Sequence, residues 1–342
     1  MQLTALPCHS SGRGRGNPAT PRAFRPEPRQ DIPQLIRGTL GHKDKRTNVL
    51  THEEMIGLQA EKHELIDAHN FRSREEYVLH LIHSFAYLHA AKFAEDKTVL
   101  DLGCNTGYGT KILSKSAKRV IGVDVSKEAI LAAQRQYGSV GIDFQLIDGK
   151  QLPFDDDKFD VIIGCQVIEH IVDYNVYLNE LKRVLSPTGI AIFTTPNALL
   201  RLDPGMKPWN RFHVREFDHS ELKILLETHF ATVQIMGLFA EESLYLIEKN
   251  RLARAREAAR MRQQRRYYYQ LRSIVKRMMP SRVLKKLKNI LAIASHPKIE
   301  IGKSFTERYG IRDLFYRTAE LDIALDLLAI CTNDACVLEG IE

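Results

Sequence analysis

The 342-residue sequence has no long apolar run, one tryptophan and only five cysteines. No stretch reaches the roughly 20 consecutive apolar residues of a membrane-spanning helix, and the apolar patch at Leu3–Leu6 is too short for a secretory signal. The cysteines are odd in number, and Cys331 and Cys336 lack the spacing of a zinc site. We therefore expect reduced thiols in a cytoplasmic protein.

The basic residues are unevenly distributed along the chain. The net charge is +7, but residues 247–303 hold 17 basic and three acidic residues, a net charge of +14. Residues 1–48 hold nine basic and three acidic residues, a net charge of +6, which leaves −13 for the remainder. The sequence therefore predicts an acidic core with two basic attachments.

A glycine-spaced turn follows an apolar run near residue 100. The segment VLDLGCNTGYGT (Val99–Thr110) has apolar residues up to Asp101, glycines at 103, 107 and 109, and then an amphipathic pattern. Strand, glycine turn and helix in this order are typical of doubly wound α/β domains, whose bare backbone approaches a nucleotide-like ligand.

Three further apolar segments end in polar residues. VIGVDV includes Asp124, about twenty residues after the turn, where an acidic side chain can bind ribose hydroxyls. Phe144–Asp148 ends in an acid, and Phe159–Gln166 leads directly into VIEHI. Because parallel strands share a carboxyl edge, we expect these residues to line one ligand site.

Together with LPFDDDKFDVII, CQVIEHI and LKRVLSPTGIAIFTTPN, these motifs resemble the class I S-adenosylmethionine-dependent methyltransferases. The resemblance covers about residues 96–246 and is to the type 11 group, which includes ubiquinone-biosynthesis and bacterial glycan methyltransferases. It implies an α/β, Rossmann-like sheet of seven strands, six parallel and the seventh antiparallel, with helices on both faces. Asn105 stands where the family usually has glycine, and asparagine tolerates the left-handed backbone.

The resemblance implies S-adenosylmethionine as cofactor. The turn backbone would face the methionine part, Asp124 the ribose, Asp148 and Gly149 the adenine, and Gln166 the sulfonium. The predicted cofactor-binding residues are Asp101, Gly103, Cys104, Asn105, Gly107, Asp124, Val125, Asp148, Gly149 and Gln166. The turn has no nearby Lys or Arg to meet a phosphate, and its acidic rim suits a sulfonium cation. A nicotinamide enzyme is therefore the lesser alternative.

The candidate catalytic residues are Glu169, His170 and His213. A hydroxyl acceptor needs deprotonation by a base or a metal. By resemblance, ubiquinone-type and small-RNA 2′-O-methyltransferases carry Glu-x-x-Glu-His here and hold a divalent metal. This chain has Gln166 as the first residue, and a neutral amide is a poorer ligand for a hard cation. We therefore expect no metal, with His213 as candidate base, and keep metal binding as the alternative.

The predicted organisation has five parts: a disordered basic tail (1–48), N-terminal helices (49–95), the core (96–246), a basic helical insertion (247–303) and a C-terminal part (304–342). The last strand is best matched by Leu325–Cys331, so the insertion separates strands six and seven. The pattern of the insertion predicts two basic helices, the first over Arg251–Met279 and the second beginning at Pro280.

The insertion allows three interpretations. We place a substrate lid first, contact of residues 251–294 with an anionic membrane or lipid-linked substrate second, and RNA binding third. The sequence thus predicts O-methylation of a small-molecule or glycan- or lipid-linked acceptor by a cytoplasmic protein. The second interpretation of the insertion would add peripheral contact with the inner face of a membrane. RNA 2′-O-methylation is the alternative function.

Overall fold

A computed structural model describes residues 54, 57, 71–278 and 303–334, with side chains throughout except at 140 and 263–278. This part of the chain contains an eight-stranded sheet. The strands are β1 (Thr98–Leu102), β2 (Arg119–Asp124), β3 (Asp143–Leu146), β4 (Phe159–Cys165), β5 (Leu185–Pro196), β6 (Thr232–Ala240), β7 (Leu314–Arg317) and β8 (Asp326–Thr332).

Eight α-helices accompany the sheet in the described residues. They are α1 (Arg74–Ala90), α2 (Tyr108–Leu113), α3 (Lys127–Tyr137), α4 (Tyr174–Val184), α5 (Ala198–Arg201), α6 (His219–Glu227), α7 (Glu242–Met278) and α8 (Lys303–Arg308). Several begin at a side-chain cap that accepts a hydrogen bond from a backbone N–H of the first turn, as Ser73, Ser126 and Asp173 do. Of the helical segment predicted before α1, the structure describes only residues 54 and 57, and both are helical.

The sheet is mixed and mostly parallel, with the order β3-β2-β1-β4-β5-β8-β6-β7. Strands β1 to β5 pair in parallel, and β8 runs antiparallel between β5 and β6. The predicted α/β class is confirmed, and the predicted last strand corresponds to β8. The prediction of seven strands is wrong, because β7 pairs antiparallel with β6 and adds an eighth strand at the edge.

The strands divide the core between two faces, since successive side chains on a strand point to opposite sides. On β1, Val99 packs in a cluster with residues of α1, α2 and α3, while Leu100 packs in a cluster with residues of α4 and α6. Both side chains are fully buried. Helices therefore cover both faces and leave the carboxyl ends of the parallel strands for the site.

The long helix α7 begins nine residues before the predicted start at Arg251, so the predicted core boundary at residue 247 falls inside a helix. Its first half is tied to the core by ion pairs of Arg254 with Glu75 (2.8 Å) and of Arg260 with Asp203 (2.6 Å). The predicted tail 1–48 and the second basic helix lie outside the described residues, and the role of 251–294 stays a prediction. Within the described ranges, no helix is both long and apolar enough to span a bilayer.

Candidate active site

A cavity of about 400 Å³ opens at the carboxyl ends of β1, β2 and β4. Seven of the ten predicted cofactor-binding residues line it: Gly103, Cys104, Asn105, Asp124, Val125, Gly149 and Gln166. Asp101, Gly107 and Asp148 are not among the lining residues. The sequence motifs thus converge on one site, although three of their residues do not line it.

The glycine turn requires its glycines. The N–H groups of Gly103 and Cys104 both donate to the carbonyl of Val123, at 2.8 and 3.0 Å, which folds the chain sharply after β1. Gly103 has φ +72°, and a Cβ there would lie 2.6 Å from Cγ2 of Val167. Gly107 has φ +82°, and its Cβ would lie 2.7 Å from the ring of Phe144. Gly103 therefore lets the backbone form the cavity wall, and Gly107 lets β3 pack against the turn.

Asp124 connects the end of β2 to this turn. It is buried, its Oδ2 accepts from the N–H of Asn105 at 2.9 Å, and its Oδ1 accepts from the N–H of Ser126 at 2.8 Å. Asn105 has φ +47°, the left-handed conformation expected where the family has glycine. The carboxylate of Asp124 is thus held in one orientation at the cavity wall.

Asp101 lies behind the turn. Its Oδ2 accepts from the hydroxyl of Thr110 at 2.6 Å and its Oδ1 accepts from the hydroxyl of Tyr87 at 3.1 Å. Burial raises the pKa of Asp101 to about 7, although both hydrogen bonds lower it. Asp101 therefore anchors the turn from behind rather than forming the acidic rim.

Asp148 shapes the loop after β3. Its exposed carboxylate accepts from the backbone N–H groups of Lys150 and Gln151, at 2.8 and 3.2 Å, and these bonds lower its pKa. Gly149, with φ +73°, lines the cavity in its place. The backbone of this loop, rather than the acid, faces the predicted adenine position.

Gln166 follows β4 with a left-handed φ of +58°. Its backbone N–H donates to the carbonyl of Thr194 at 2.9 Å, and its Nε2 donates to Oδ2 of Asp326 at 2.8 Å and to Oγ1 of Thr194 at 3.3 Å. Backbone and side chain are therefore both fixed against the strands on the far side of β4, while Gln166 lines the cavity.

Two of the candidate catalytic residues, His170 and His213, pack against each other at the cavity wall. His170 lines the cavity, and its Nδ1 lies 2.9 Å from the carbonyl oxygen of Phe212. Because a carbonyl only accepts, Nδ1 carries a proton, and in a neutral imidazole Nε2 would then be the accepting nitrogen. His213 packs edge-on against His170 at 4.9 Å, and its Nδ1 donates to Oε1 of Glu216 at 2.7 Å. His213 itself is not a lining residue.

Glu169 lies fully buried beside these rings. Its Oε2 accepts from the hydroxyl of Thr195 at 3.0 Å, and its Oε1 has no hydrogen-bond partner among the residues that the structure describes. Burial raises the pKa of Glu169, and the neighbouring His213 lowers it. An unsatisfied buried carboxylate oxygen is costly, so it marks a place where a proton, water or cation is needed.

Glu169, His170 and His213 each offer one ligand atom, and these atoms all lie within 4.8 Å of one another. One carboxylate and two imidazoles suit a divalent transition metal. Glu216 behind His213 is the outer carboxylate that often orients a metal-binding imidazole. The donor set therefore fits a cation, and the expectation of a metal-free site stays a prediction.

The comparisons with known proteins agree with this geometry. Residues 100–193 match the sequence family described as a methyltransferase domain. The chain carries a class I S-adenosylmethionine-dependent methyltransferase domain. The matched region contains the glycine turn, Asp124, Gln166 and the Glu169-His170 pair.

Curated relatives resemble this methyltransferase domain and its flanks. Over 159 residues the chain is 35% identical to a probable S-adenosylmethionine-dependent methyltransferase of Mycolicibacterium smegmatis, which covers 46% of this chain and 61% of the relative. It is 30% identical over 131 residues to a ubiquinone biosynthesis O-methyltransferase of Bradyrhizobium diazoefficiens, covering 33% of this chain and 51% of that one. The chain thus spans less than two thirds of the length of these relatives.

A solved structure of an S-adenosylmethionine-dependent methyltransferase from Aquifex aeolicus is 21% identical. Its match covers 44% of this chain and 80% of that one, with a TM-score of 0.36.

Residues outside the matched methyltransferase region also line the cavity. Helix α1 contributes His83 and Tyr87, and the loop after α5 contributes Asn210 and Phe212. Burial, with His80 and Arg251 nearby, lowers the pKa of His83 to about 4. These residues were not predicted from the sequence. The only signal for any of them is the helical period, which places His83 beside the apolar stripe of α1.

Proposed function

We propose that the protein is an S-adenosylmethionine-dependent O-methyltransferase acting on a small-molecule or glycan- or lipid-linked hydroxyl. One observation carries the proposal: a single cavity is lined both by the predicted cofactor residues, such as Gly103 and Asp124, and by the histidine His170. A cofactor held at the first group would present its methyl group to an acceptor beside the second.

S-adenosylmethionine supplies a methyl group on a sulfonium, whose departing thioether needs no acid. The chain then has to orient the acceptor and exclude water. Asp124 offers carboxylate oxygens to the ribose hydroxyls, and the open backbone at Gly103 admits the methionine part. Tyr108 and Phe212 provide apolar walls that an aromatic or lipid-like acceptor would contact.

His170 is the proposed general base. It lines the cavity, and the Phe212 carbonyl fixes the tautomer in which Nε2 accepts a proton. The acceptor hydroxyl would transfer its proton to Nε2 as its oxygen bonds to the methyl carbon. His213, held by Glu216, packs against the ring and supports its orientation. This proposal moves the base role from His213, as the sequence predicted, to His170.

A second candidate mechanism uses a divalent cation. Two observations favour it: the Oε1 of Glu169 has no hydrogen-bond partner in the described part of the chain, and ligand atoms of His170 and His213 lie close to it. These three residues would hold the ion, which would lower the pKa of the acceptor hydroxyl. His170 would then be a ligand rather than a base, so the two mechanisms exclude each other.

The acceptor class rests on similarity and on the cavity lining. A curated relative is named a ubiquinone biosynthesis O-methyltransferase, which supports a small, partly apolar acceptor. RNA is the alternative acceptor, through the basic residues 247–303.

Transfer of a radiolabelled methyl group to separate phenol, glycan, lipid and RNA fractions tests this proposal. We expect label in one of the first three fractions, and a loss of about 10²-fold or more in His170→Ala because a general base is removed. The partly exposed His219, paired with Asp322, gives the control variant His219→Ala, which should keep full activity. Label only in RNA, or full activity of His170→Ala, would overturn the proposal.

A further inference from the structure

Asp326 is a buried acid at the first position of β8, far outside the region 100–193 that matches the methyltransferase family. In the sheet it lies between Pro196 of β5 and Leu238 of β6. Its Oδ2 accepts the hydrogen bond from Nε2 of Gln166 at 2.8 Å, across 160 residues of sequence. Strand β8 therefore contacts a cavity-lining residue through this side chain.

The hydrogen bonds of Gln166 determine which atom it presents. Its Nε2 donates to Asp326 and to Oγ1 of Thr194, which engages both amide hydrogens on the side of β5 and β8. Its left-handed backbone is held by the N–H bond to the Thr194 carbonyl. Because Gln166 lines the cavity, its carbonyl oxygen Oε1 is the polar atom left to face a ligand.

A carbonyl oxygen interacts more favourably with a cation than with a neutral group. The methyl donor carries a positive sulfonium, whereas the demethylated product, S-adenosylhomocysteine, is a neutral thioether. An oxygen held against the sulfur position therefore makes the site bind the charged donor more tightly than the neutral product. It would favour binding of the donor and release of the product.

We propose that Asp326 is a positioning residue that holds Oε1 of Gln166 against the sulfonium, so that the site prefers the methyl donor over its demethylated product. The inference rests on the proposed function, because it requires that the cavity binds S-adenosylmethionine.

The role of Asp326 depends on its hydrogen bond rather than on its charge. Burial raises the pKa of Asp326 well above its usual range, Glu169 and Glu248 raise it further, and Arg201 and the Gln166 bond lower it. An oxygen at this position accepts from Nε2 whether the carboxyl is ionised or neutral. Asparagine keeps such an oxygen, whereas alanine removes it.

Calorimetric titrations of the full chain with S-adenosylmethionine and with S-adenosylhomocysteine test the inference without any acceptor. In Asp326→Ala we expect the donor affinity to fall by about fivefold or more, because the carbonyl oxygen is no longer held against the positive sulfonium, and the product affinity to change less than about twofold because the thioether is neutral. Misfolding would weaken the binding of both nucleosides. The ratio of the two affinities therefore distinguishes a positioning role from a structural one.

Two further variants test whether Asp326 acts through Gln166. Asp326→Asn should keep the wild-type ratio, and Gln166→Ala should lose the ratio as Asp326→Ala does, with no added loss in the double variant because the two act as one unit. The exposed Asp143, paired with Arg119 at the other end of the sheet, gives the control Asp143→Ala, which should change neither affinity.

An unchanged ratio in Asp326→Ala, or additive losses in the double variant, would overturn the inference while leaving the proposed function intact. A lost ratio in Asp326→Asn would also overturn it, because charge rather than position would then act. Failure of the wild-type protein to bind either nucleoside would overturn the proposed function and the inference together.

Discussion

The hydroxyl of Tyr87 donates a hydrogen bond to Oδ1 of Asp101 over 3.1 Å and so joins helix α1 to the strand that leads into the glycine turn. The Tyr87 ring lies where a Cβ on Gly109 would clash, so α1 packs directly on the backbone of α2. A helix outside the matched methyltransferase region is therefore coupled to the cofactor loop. Tyr87 and Asp101 fix the position of the cavity wall that α1 provides.

This burial makes folding stability depend on pH through Asp101. Its pKa is raised to about 7 in the folded protein, so between about pH 4 and pH 7 the folded state binds more protons than the unfolded state. The contribution of Asp101 to stability is thus complete at low pH and is lost as the pH rises through 7. Asp101→Asn removes this dependence.

Urea unfolding of wild type and Asp101→Asn at pH 5 and pH 8 measures the effect. We expect the wild-type free energy of unfolding to fall relative to that of the variant as the pH rises. A constant difference between the two proteins would show that Asp101 does not titrate in this range.

Gly103→Ala should displace the glycine turn from its position at the cavity wall. The substitution places a Cβ 2.6 Å from Val167 and forces alanine to φ +72°, which alone costs about 1–2 kcal/mol. We expect the affinity for S-adenosylmethionine, measured by calorimetry, to fall about tenfold or more because the turn must shift at the cavity wall.

Gly141→Ala is the matched control for Gly103→Ala. Gly141 has a similar φ of +78°, but its Cβ would meet no heavy atom within 4 Å. This variant should lose stability without losing cofactor affinity. Equal cofactor affinities of Gly103→Ala and wild type would contradict the assignment of the turn.

The cluster of Glu169, His170 and His213 makes metal binding testable. If it holds a cation, adding Zn²⁺ or Mn²⁺ to chelator-treated protein should raise the thermal unfolding midpoint, because the ion binds only the folded state. Glu169→Gln and His213→Ala should abolish this rise, whereas His219→Ala, outside the cluster and partly exposed, should retain it. A rise that persists in both cluster variants would place the ion elsewhere. Absence of any rise in wild type would favour His170 as base.

The glycine turn and Asp124, which form part of the cavity wall, could be predicted because their sequence signals are local. The turn after β1 needs glycine at positions 103 and 107 for backbone conformation and close packing, and Asp124 ends a short apolar strand. Such features depend on a few neighbouring residues. The mostly parallel α/β sheet and the antiparallel β8 followed from the same patterns and the family resemblance.

What the sequence did not predict depends on distant contacts. Strand β7 has only four residues, LFYR, without alternation of apolar and polar side chains, and it forms by pairing with β6. Asp326 and His83 reach the site from β8 and α1, and no local spacing links them to Gln166. The carboxylate of Asp148 contacts its own loop, because it accepts hydrogen bonds from two nearby backbone N–H groups.

Calorimetric titration of the wild-type chain with S-adenosylmethionine, and of the variants Asp124→Ala and Asp322→Ala, tests the central claim most directly. We expect one binding site in wild type, an affinity about tenfold or more weaker in Asp124→Ala because a charged hydrogen-bonding group is lost, and no change in the exposed control Asp322→Ala. Absence of binding in wild type, or tighter binding of a nicotinamide dinucleotide, would contradict the account.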